Sequence, residues 1–549
     1  MKKLATALTL CMFSLVGLAQ NKALTDTFLV VKAYQPTLVD AKKIQFEPGI
    51  DDTVKIEHDL KYTFVPTHVE VQAEVDPIKA ARIKSEPLVR LYNSYAKLGL
   101  GTNYTPWAEF YYHNLRSDEY SYGTHLKYMH FNGISGFDYS KKNDGRFSVY
   151  GKRFWKTNTL EADLGYDFSN FSYYGIPESI RKNQKELVKT QNLEQTYNLV
   201  RADVKLSSTI RDSFNLRHDA ELGFYHLSSK AATSETNVKL GGSLSKIENR
   251  EFYQLDVFMD LNSASNLRDT STDVIIALVP SIQTSGEILN VKAGLAINAQ
   301  MENSAKFTFY PDVELSANLI ENILVPYAGI NGGVKRNSFR SILQENLYIS
   351  DSIELKNSNM KYNMYFGLRG TISSRIAFNA SFSKRKIDDF MMFVRDTSAV
   401  LENRFATVYD KMEQLALKGE LSYSAGEKLK FYLVGEYFGY NPGKEIEAWH
   451  KPGHKASLST IYNLHDKILA RLDVVYIGEQ YAKGFDSQGK IEKIKLDGIV
   501  DANISLEYRY TKKVSAFLEF NNILGSSYEK WQDYQMQGFN LMGGFTYGF

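Results

Sequence analysis

The stretch Gly538-Phe539-Asn540-Leu541-Met542-Gly543-Gly544-Phe545-Thr546-Tyr547-Gly548-Phe549 decides how the rest of the chain is read. Side chains on an extended strand alternate between two faces. Phe539, Leu541, Gly543, Phe545, Tyr547 and Phe549 therefore share one face, and Gly538, Asn540, Met542, Gly544, Thr546 and Gly548 share the other. The same period of two recurs upstream. Val500, Ala502, Ile504, Leu506, Tyr508 and Tyr510 oppose Asp501, Asn503, Ser505, Glu507 and Arg509. Leu415, Leu417, Gly419, Leu421 and Tyr423 oppose Gln414, Lys418, Glu420 and Ser422, and Ile468, Ala470, Leu472, Val474 and Tyr476 oppose Arg471 and Asp473. From about Tyr92 onward the chain reads as half-buried strands.

An apolar face opposite a charged one fits two architectures. A soluble sandwich uses strands of about 5–6 residues with one face in water. A transmembrane barrel uses longer strands, with the apolar face toward lipid and the polar face lining the lumen. The alternating runs here are long, and Tyr, Phe and Trp gather near their ends, where an aromatic girdle would lie. Both features favour the barrel.

Short polar connectors recur at Arg116-Ser117-Asp118, Lys156-Thr157-Asn158, Arg211-Asp212-Ser213, Glu248-Asn249, Ser285-Gly286, Glu321-Asn322, Ser373-Ser374, Ala425-Gly426-Glu427, His465-Asp466 and Thr511-Lys512. Between them lie pairs of strands joined by longer connections, including 132–143, 170–190, 335–357, 439–452, 480–496 and 522–537. Short turns on one side and long loops on the other are the outer-membrane barrel layout, and the turn spacing predicts about 22 antiparallel strands. Pro280, Pro311 and Pro326 fall in or at the ends of predicted strands. Proline is confined to edges and bulges, so the wall is expected to be irregular there.

The N-terminal region differs. Lys2 and Lys3 precede an apolar run from Leu4 to Leu18, and Gly17-Leu18-Ala19 precedes Gln20. This is the pattern of a Sec signal peptide, expected over 1–19. Residues 20–91 hold Pro36, Pro48, Pro66, Pro77 and Pro87 with many charged residues, and are expected to form a periplasmic extension with polyproline-like stretches. Residues 92–549 are expected to form the barrel. Cys11, the single cysteine, lies within the leader, so disulfides, thiol catalysis and cysteine metal sites are excluded from the mature chain. A net charge of +2 lacks the basic footprint that phosphate neutralisation requires, which argues against nucleic acid as a partner.

Three resemblances follow. Phe545, Tyr547 and Phe549 on the closing strand resemble the C-terminal signature that outer-membrane barrels present to their assembly machinery. The last third of the chain resembles the barrels of TonB-dependent receptors. The resemblance is carried by Leu355 through Lys361, by Phe382 through Phe390, by Phe520-Asn521-Asn522-Ile523-Leu524 with Tyr528 and Trp531, and by the closing strand. The Gln20 start and the Lys- and Tyr-rich strands resemble proteins of Bacteroidota. What the family implies is a large outer-membrane barrel working in solute transport. Family members place a globular plug before the barrel, whereas here 20–91 is all that separates the leader from the first strand. No convincing TonB box is present; Leu24 through Val31 is a short β-prone candidate. The lumen is thus expected to be filled by that segment, by inward loops, or by a periplasmic or membrane protein partner. The alternative role is a non-transporting subunit of an outer-membrane secretion or assembly complex, docked through residues 20–91.

Catalytic signatures are missing. The histidines make no metal spacing, since His450 and His454 flank Lys451-Pro452-Gly453 rather than sharing a helix face. No nucleophile elbow or phosphate-binding loop occurs, so neither an enzyme nor a cofactor is expected. Lys127, Lys152, Lys205, Lys239, Arg471, Glu507 and Arg509 are expected to face the lumen. Tyr173, Tyr174, Trp449, Tyr481, Trp531 and Tyr534 lie on long loops, where exposed aromatics would mark an extracellular recognition surface or a belt at the membrane interface.

Overall fold

The computed structural model describes residues 91–209, 216–302, 304–320 and 323–549. The leader and the extension, with the Leu24–Val31 candidate, lie outside the described residues. So do the Arg211-Asp212-Ser213 and Glu321-Asn322 connectors.

Strands of 8 to 21 residues follow one another around a single sheet of 22, each antiparallel to its neighbour. The circle closes where the first strand, Ser94–Gly101, pairs with the last, Asn540–Gly548, in the register Leu98↔Phe545. Ser94 and Phe549 exchange two backbone hydrogen bonds, both 3.0 Å, beyond the end of that ladder. Closure leaves no sheet edge at the chain ends, which is the condition for strands to cross hydrocarbon. Among the described residues no helix is long and apolar enough to cross a membrane.

The two faces separate as the alternation requires. Leu98 (61% exposed), Leu164 (60%), Phe309 (64%) and Phe545 (69%) stand on the outside. They belong to a band of exposed Leu, Phe, Tyr and Val that encircles the wall. A soluble surface does not tolerate a continuous apolar area of that kind, and a lipid-facing one requires it. The inner face carries ion pairs across strands, among them Lys97–Glu519 at 2.8 Å, Lys152–Glu161 at 2.8 Å and Lys292–Asp312 at 2.7 Å, and a polar contact of His125 with Glu109 at 2.9 Å. Lys127, Lys205, Lys239, Arg471, Glu507 and Arg509 occupy positions of inward parity, next in sequence to outward apolar residues such as Leu126, Val204, Leu240 and Tyr508.

The prolines interrupt the wall at two of the three positions. Beside Pro280 the ladder passes from Leu278↔Ile297 directly to Ser281↔Gly294. Beyond Pro311 the pairing with the following strand has stopped. Pro326 sits one residue into its strand and keeps register with Leu368.

Candidate functional site

Several strands near the middle of the chain run well past the length a bilayer needs. Ile376–Arg395 and Phe405–Ala425 have 20 and 21 residues, against roughly 9–11 for a span. The excess lies on the side of the long loops and forms a collar on which they pack. Those loops are 173–193, 336–357, 396–404, 443–453, 478–498 and 522–539.

The loops share one hydrophobic core with the collar. Phe171, Tyr173, Tyr174, Tyr197, Phe339, Ile342, Ile349, Ile353, Phe393, Phe405, Trp531 and Tyr534 are all buried within it. Tyr348 stacks on Tyr534 with ring centroids 3.7 Å apart, and Phe393 meets Trp531 edge-on at 5.1 Å. Each buried phenol finds a partner on another loop, as burial of a polar tip requires. Tyr173 Oη donates to the Ile349 carbonyl (3.0 Å), Tyr174 Oη to that of Gln535 (2.9 Å) and Tyr534 Oη to that of Asn403 (2.5 Å). Asn403 in turn donates to the Tyr173 carbonyl at 2.6 Å. The result is a roof rather than a set of separate loops.

Loop 336–357 is the keystone, and buried acids clamp it to the wall. Glu235, fully buried on strand Ser234–Glu248, accepts from the amides of Phe339 (2.6 Å) and Arg340 (3.2 Å) and from Tyr225 Oη (2.8 Å). It therefore satisfies the free N–H groups that open helix Phe339–Glu345, while Ser338 caps the same turn through the Ser341 amide. Asp351, 1% exposed, accepts from Thr233 Oγ1 (2.9 Å), from Gln195 (3.3 Å) and from Arg404 (3.3 Å). Arg336 pairs with Asp260 and Asp273. A buried carboxylate is tolerated only with such a complement of donors.

The loop aromatics do not form the exposed face that their position in long loops suggested. Tyr173, Tyr174, Trp531 and Tyr534 lie inside the common core. Trp449 is fully buried in an adjoining cluster with Met392 and Met412. Tyr481, on the hairpin Gln480–Phe485/Ile491–Leu496, packs partly on that second cluster and donates to Glu479 at 2.9 Å. The physical reason is that the loops fold onto one another, so their rings meet protein instead of solvent. Phe545, Tyr547 and Phe549 remain on the outer face, with Tyr547 and Phe549 stacked at 5.3 Å.

Beneath the roof lies a cavity that the sequence did not announce. Glu345 from the keystone helix, His450 and Lys451 from loop 443–453, and Lys530 and Trp531 from the last loop line its upper side. Glu436, Tyr440, Lys455 and Ser457 line it from the inward face of the wall. Lys451 reaches Glu345 at 2.5 Å. Burial pushes the Glu345 carboxyl up, but Lys451 and then Lys335 outweigh it and hold it below the ordinary carboxylate range.

His450 is the unusual member. It is 3% exposed, and neither ring nitrogen has a hydrogen-bond partner among the described residues. Its backbone is left-handed, at φ +54°, and its amide donates to the Tyr481 carbonyl at 2.9 Å. Phe405 and Trp531 flank the ring at 5.4 and 5.2 Å. Burial, then Lys451 and Arg395, lower its pKa to about 3. The imidazole is therefore neutral and offers one donor and one acceptor. Among the described residues no group of three or more His, Cys, Asp or Glu side chains is placed to hold a metal ion.

No protein-family model and no curated protein matches the sequence. Solved structures do. The chain is similar to the FrpB iron transporter from Neisseria meningitidis (F3-3 variant), with a TM-score of 0.66 and 10% identity over 84% of this chain and 82% of that one. It is also similar to the ferric-catecholate import receptor Fiu from E. coli K12, at 0.62 and 10% over 83% and 82%. The copper transporter OprC gives 0.62 and 11% over 84% of both chains. At such identities what is shared is the fold, which in this chain is a closed antiparallel sheet of 22 strands.

Proposed function

We propose that this chain is an outer-membrane transport barrel whose loop roof gates entry of a solute into a polar lumen. The observation that carries the reading is the roof itself, a hydrogen-bonded aromatic body closing over a cavity lined by a neutral histidine that has no hydrogen-bond partner among the described residues. A barrel that served only as a membrane anchor would have no need of such a cavity. The similar folds named as transporters and an import receptor support transport over catalysis. In this reading the Glu345–Lys451 pair, Lys530 and His450 meet the solute first, and Glu235 and Asp351 hold the gate shut.

The test is swelling of liposomes containing the full chain, in saccharides of increasing size. The Glu235→Ala/Asp351→Ala double variant removes both clamps on loop 336–357, so it is expected to admit larger saccharides and to swell the vesicles faster. Identical swelling by the two proteins, with unchanged circular dichroism, would show that the roof is not the gate.

A further inference from the structure

The joint between strands Ala305–Ala317 and Val325–Lys335 is unlike the others in the wall. The two strands have 13 and 11 residues, yet only Val313↔Ile330, Glu314↔Gly329, Leu315↔Ala328 and Ser316↔Tyr327 are in register. Each strand is well paired on its other side, with Leu289–Met301 and with Ser358–Ser373. The paired part lies near the short-turn end of the barrel. The half toward Ala305, on the side of the long loops, lies alongside its neighbour without ladder pairs.

The hydrogen-bond phase shows what is left bare. Asn318 N donates to the Ile288 carbonyl at 2.6 Å. In an antiparallel ladder, bonded and non-bonded pairs alternate. Even-numbered residues of Ala305–Ala317 therefore bond toward Leu289–Met301, and odd-numbered ones face Val325–Lys335. Phe307, Phe309 and Pro311 are the odd positions beyond the last pair. Proline supplies no N–H, so Pro311 stands where the ladder stops. Across from it are Gly332 and Val334, beside a bulge between Asn331 and Gly333. Among the described residues no ladder pair joins these positions across the joint. Hydrocarbon does not tolerate such groups unpaired.

On the lumen side the Tyr310 side chain spans the joint. Tyr310, 3% exposed, crosses Gly332 and donates to Asn359 Oδ1 on the next strand at 2.8 Å. A Cβ at Gly332 would lie 2.6 Å from the Tyr310 ring, so glycine is what lets the ring pass. Nearby, Thr308 Oγ1 is buried. On the outer side, Phe307 and Phe309 project at 62% and 64% exposure.

We propose that this joint is a lateral portal, latched by Tyr310, through which an amphipathic molecule with an acyl-type tail passes between the lumen and the outer leaflet. The chemistry on its two sides selects that class. Backbone donors and acceptors outside the ladder, with Thr308 behind them, suit a polar head. Phe307 and Phe309 offer a path for a hydrocarbon tail. The proposal does not depend on the roof acting as a gate.

The experiment uses the full chain in phospholipid vesicles with a long-chain fatty acid bearing a diazirine near its tail end. After irradiation, label is expected on residues 305–312 and 331–335 at a level several-fold above the apolar band at Leu98–Leu100 and Leu541–Phe545. Tyr310→Phe, which removes only the latch hydroxyl, is expected to raise that labelling further. In the same vesicles the amides of Phe307, Phe309 and Val334 should exchange with deuterium far faster than those of the paired residues Ala296 and Asn298. Even labelling around the band would overturn the proposal. So would slow exchange at the joint, which means that the ladder zips shut in a bilayer. Capture of a polypeptide instead of the lipid would replace it with a protein-docking edge.

Discussion

Aromatic residues do opposite work in the wall and in the roof. In the wall Phe309 and Phe545 project into the surroundings at 64% and 69% exposure, while polar side chains turn inward. In the roof Trp449 and Tyr534 are fully buried, and the polar groups close over or clamp them. The wall is ordered by a boundary between lipid and water; the roof is ordered by packing against itself, as a soluble core is. One chain therefore obeys two solvation rules. The same residue type has a different energetic consequence on each side of the membrane surface.

The largest effect that sharpens the contrast is expected in the roof. Tyr534→Ala or Trp449→Ala leaves a cavity in a packed core, at a cost of about 3–5 kcal/mol. That loss should appear as protease cleavage within loops 336–357 and 522–539, while the heat-modifiable band of the folded barrel survives on gels. Cleavage at the wild-type rate would mean that the loops do not stabilise one another. In the wall the sensitive change is the reverse one. Leu164→Arg puts a charge on the lipid face near mid-strand and should cost about 2–4 kcal/mol in bilayer refolding, falling toward zero for an arginine near the interfaces. A depth-independent cost would break the assignment of that face to lipid.

The alternation that reveals the wall is legible because the lipid–water boundary imposes a period of two on every strand. Closing strand, turn positions and strand count all follow from it, as Leu98↔Phe545 at the closure shows. Pro280 and Pro311 also announced their breaks, since a missing N–H is a local property. The roof has no such period. Whether Tyr173 or Trp531 meets water or another loop depends on partners more than a hundred residues away, as in the Tyr173–Ile349 bond. His450 was visible only as a histidine outside any metal spacing. Its burial comes from Phe405 and Trp531, which are distant in sequence.

A smaller effect is expected from pH. The His450 pKa falls to about 3 in the folded protein, against about 6.5 unfolded. Between those values the unfolded roof binds a proton that the folded roof refuses, so stability declines as pH falls from about 6.5 toward about 3. Glu345, held low by Lys451 after its burial is outweighed, loses its contribution in the same direction, at the lower end of that range. His450→Gln should flatten the upper part of the decline, read as loop deuterium exchange against pH. An unchanged slope would place the titrating group elsewhere.

Whether the roof closes the cavity from outside can be measured directly, since position 11 holds the sole cysteine. In a Cys11→Ser background, His450→Cys and, separately, Ser487→Cys on the exposed hairpin tip are treated on intact cells with a membrane-impermeant maleimide. Rapid labelling is expected at position 487 and almost none at position 450, with position 450 becoming reactive once Glu235→Ala and Asp351→Ala are added. Equal labelling of the two positions without those changes would contradict closure by the roof.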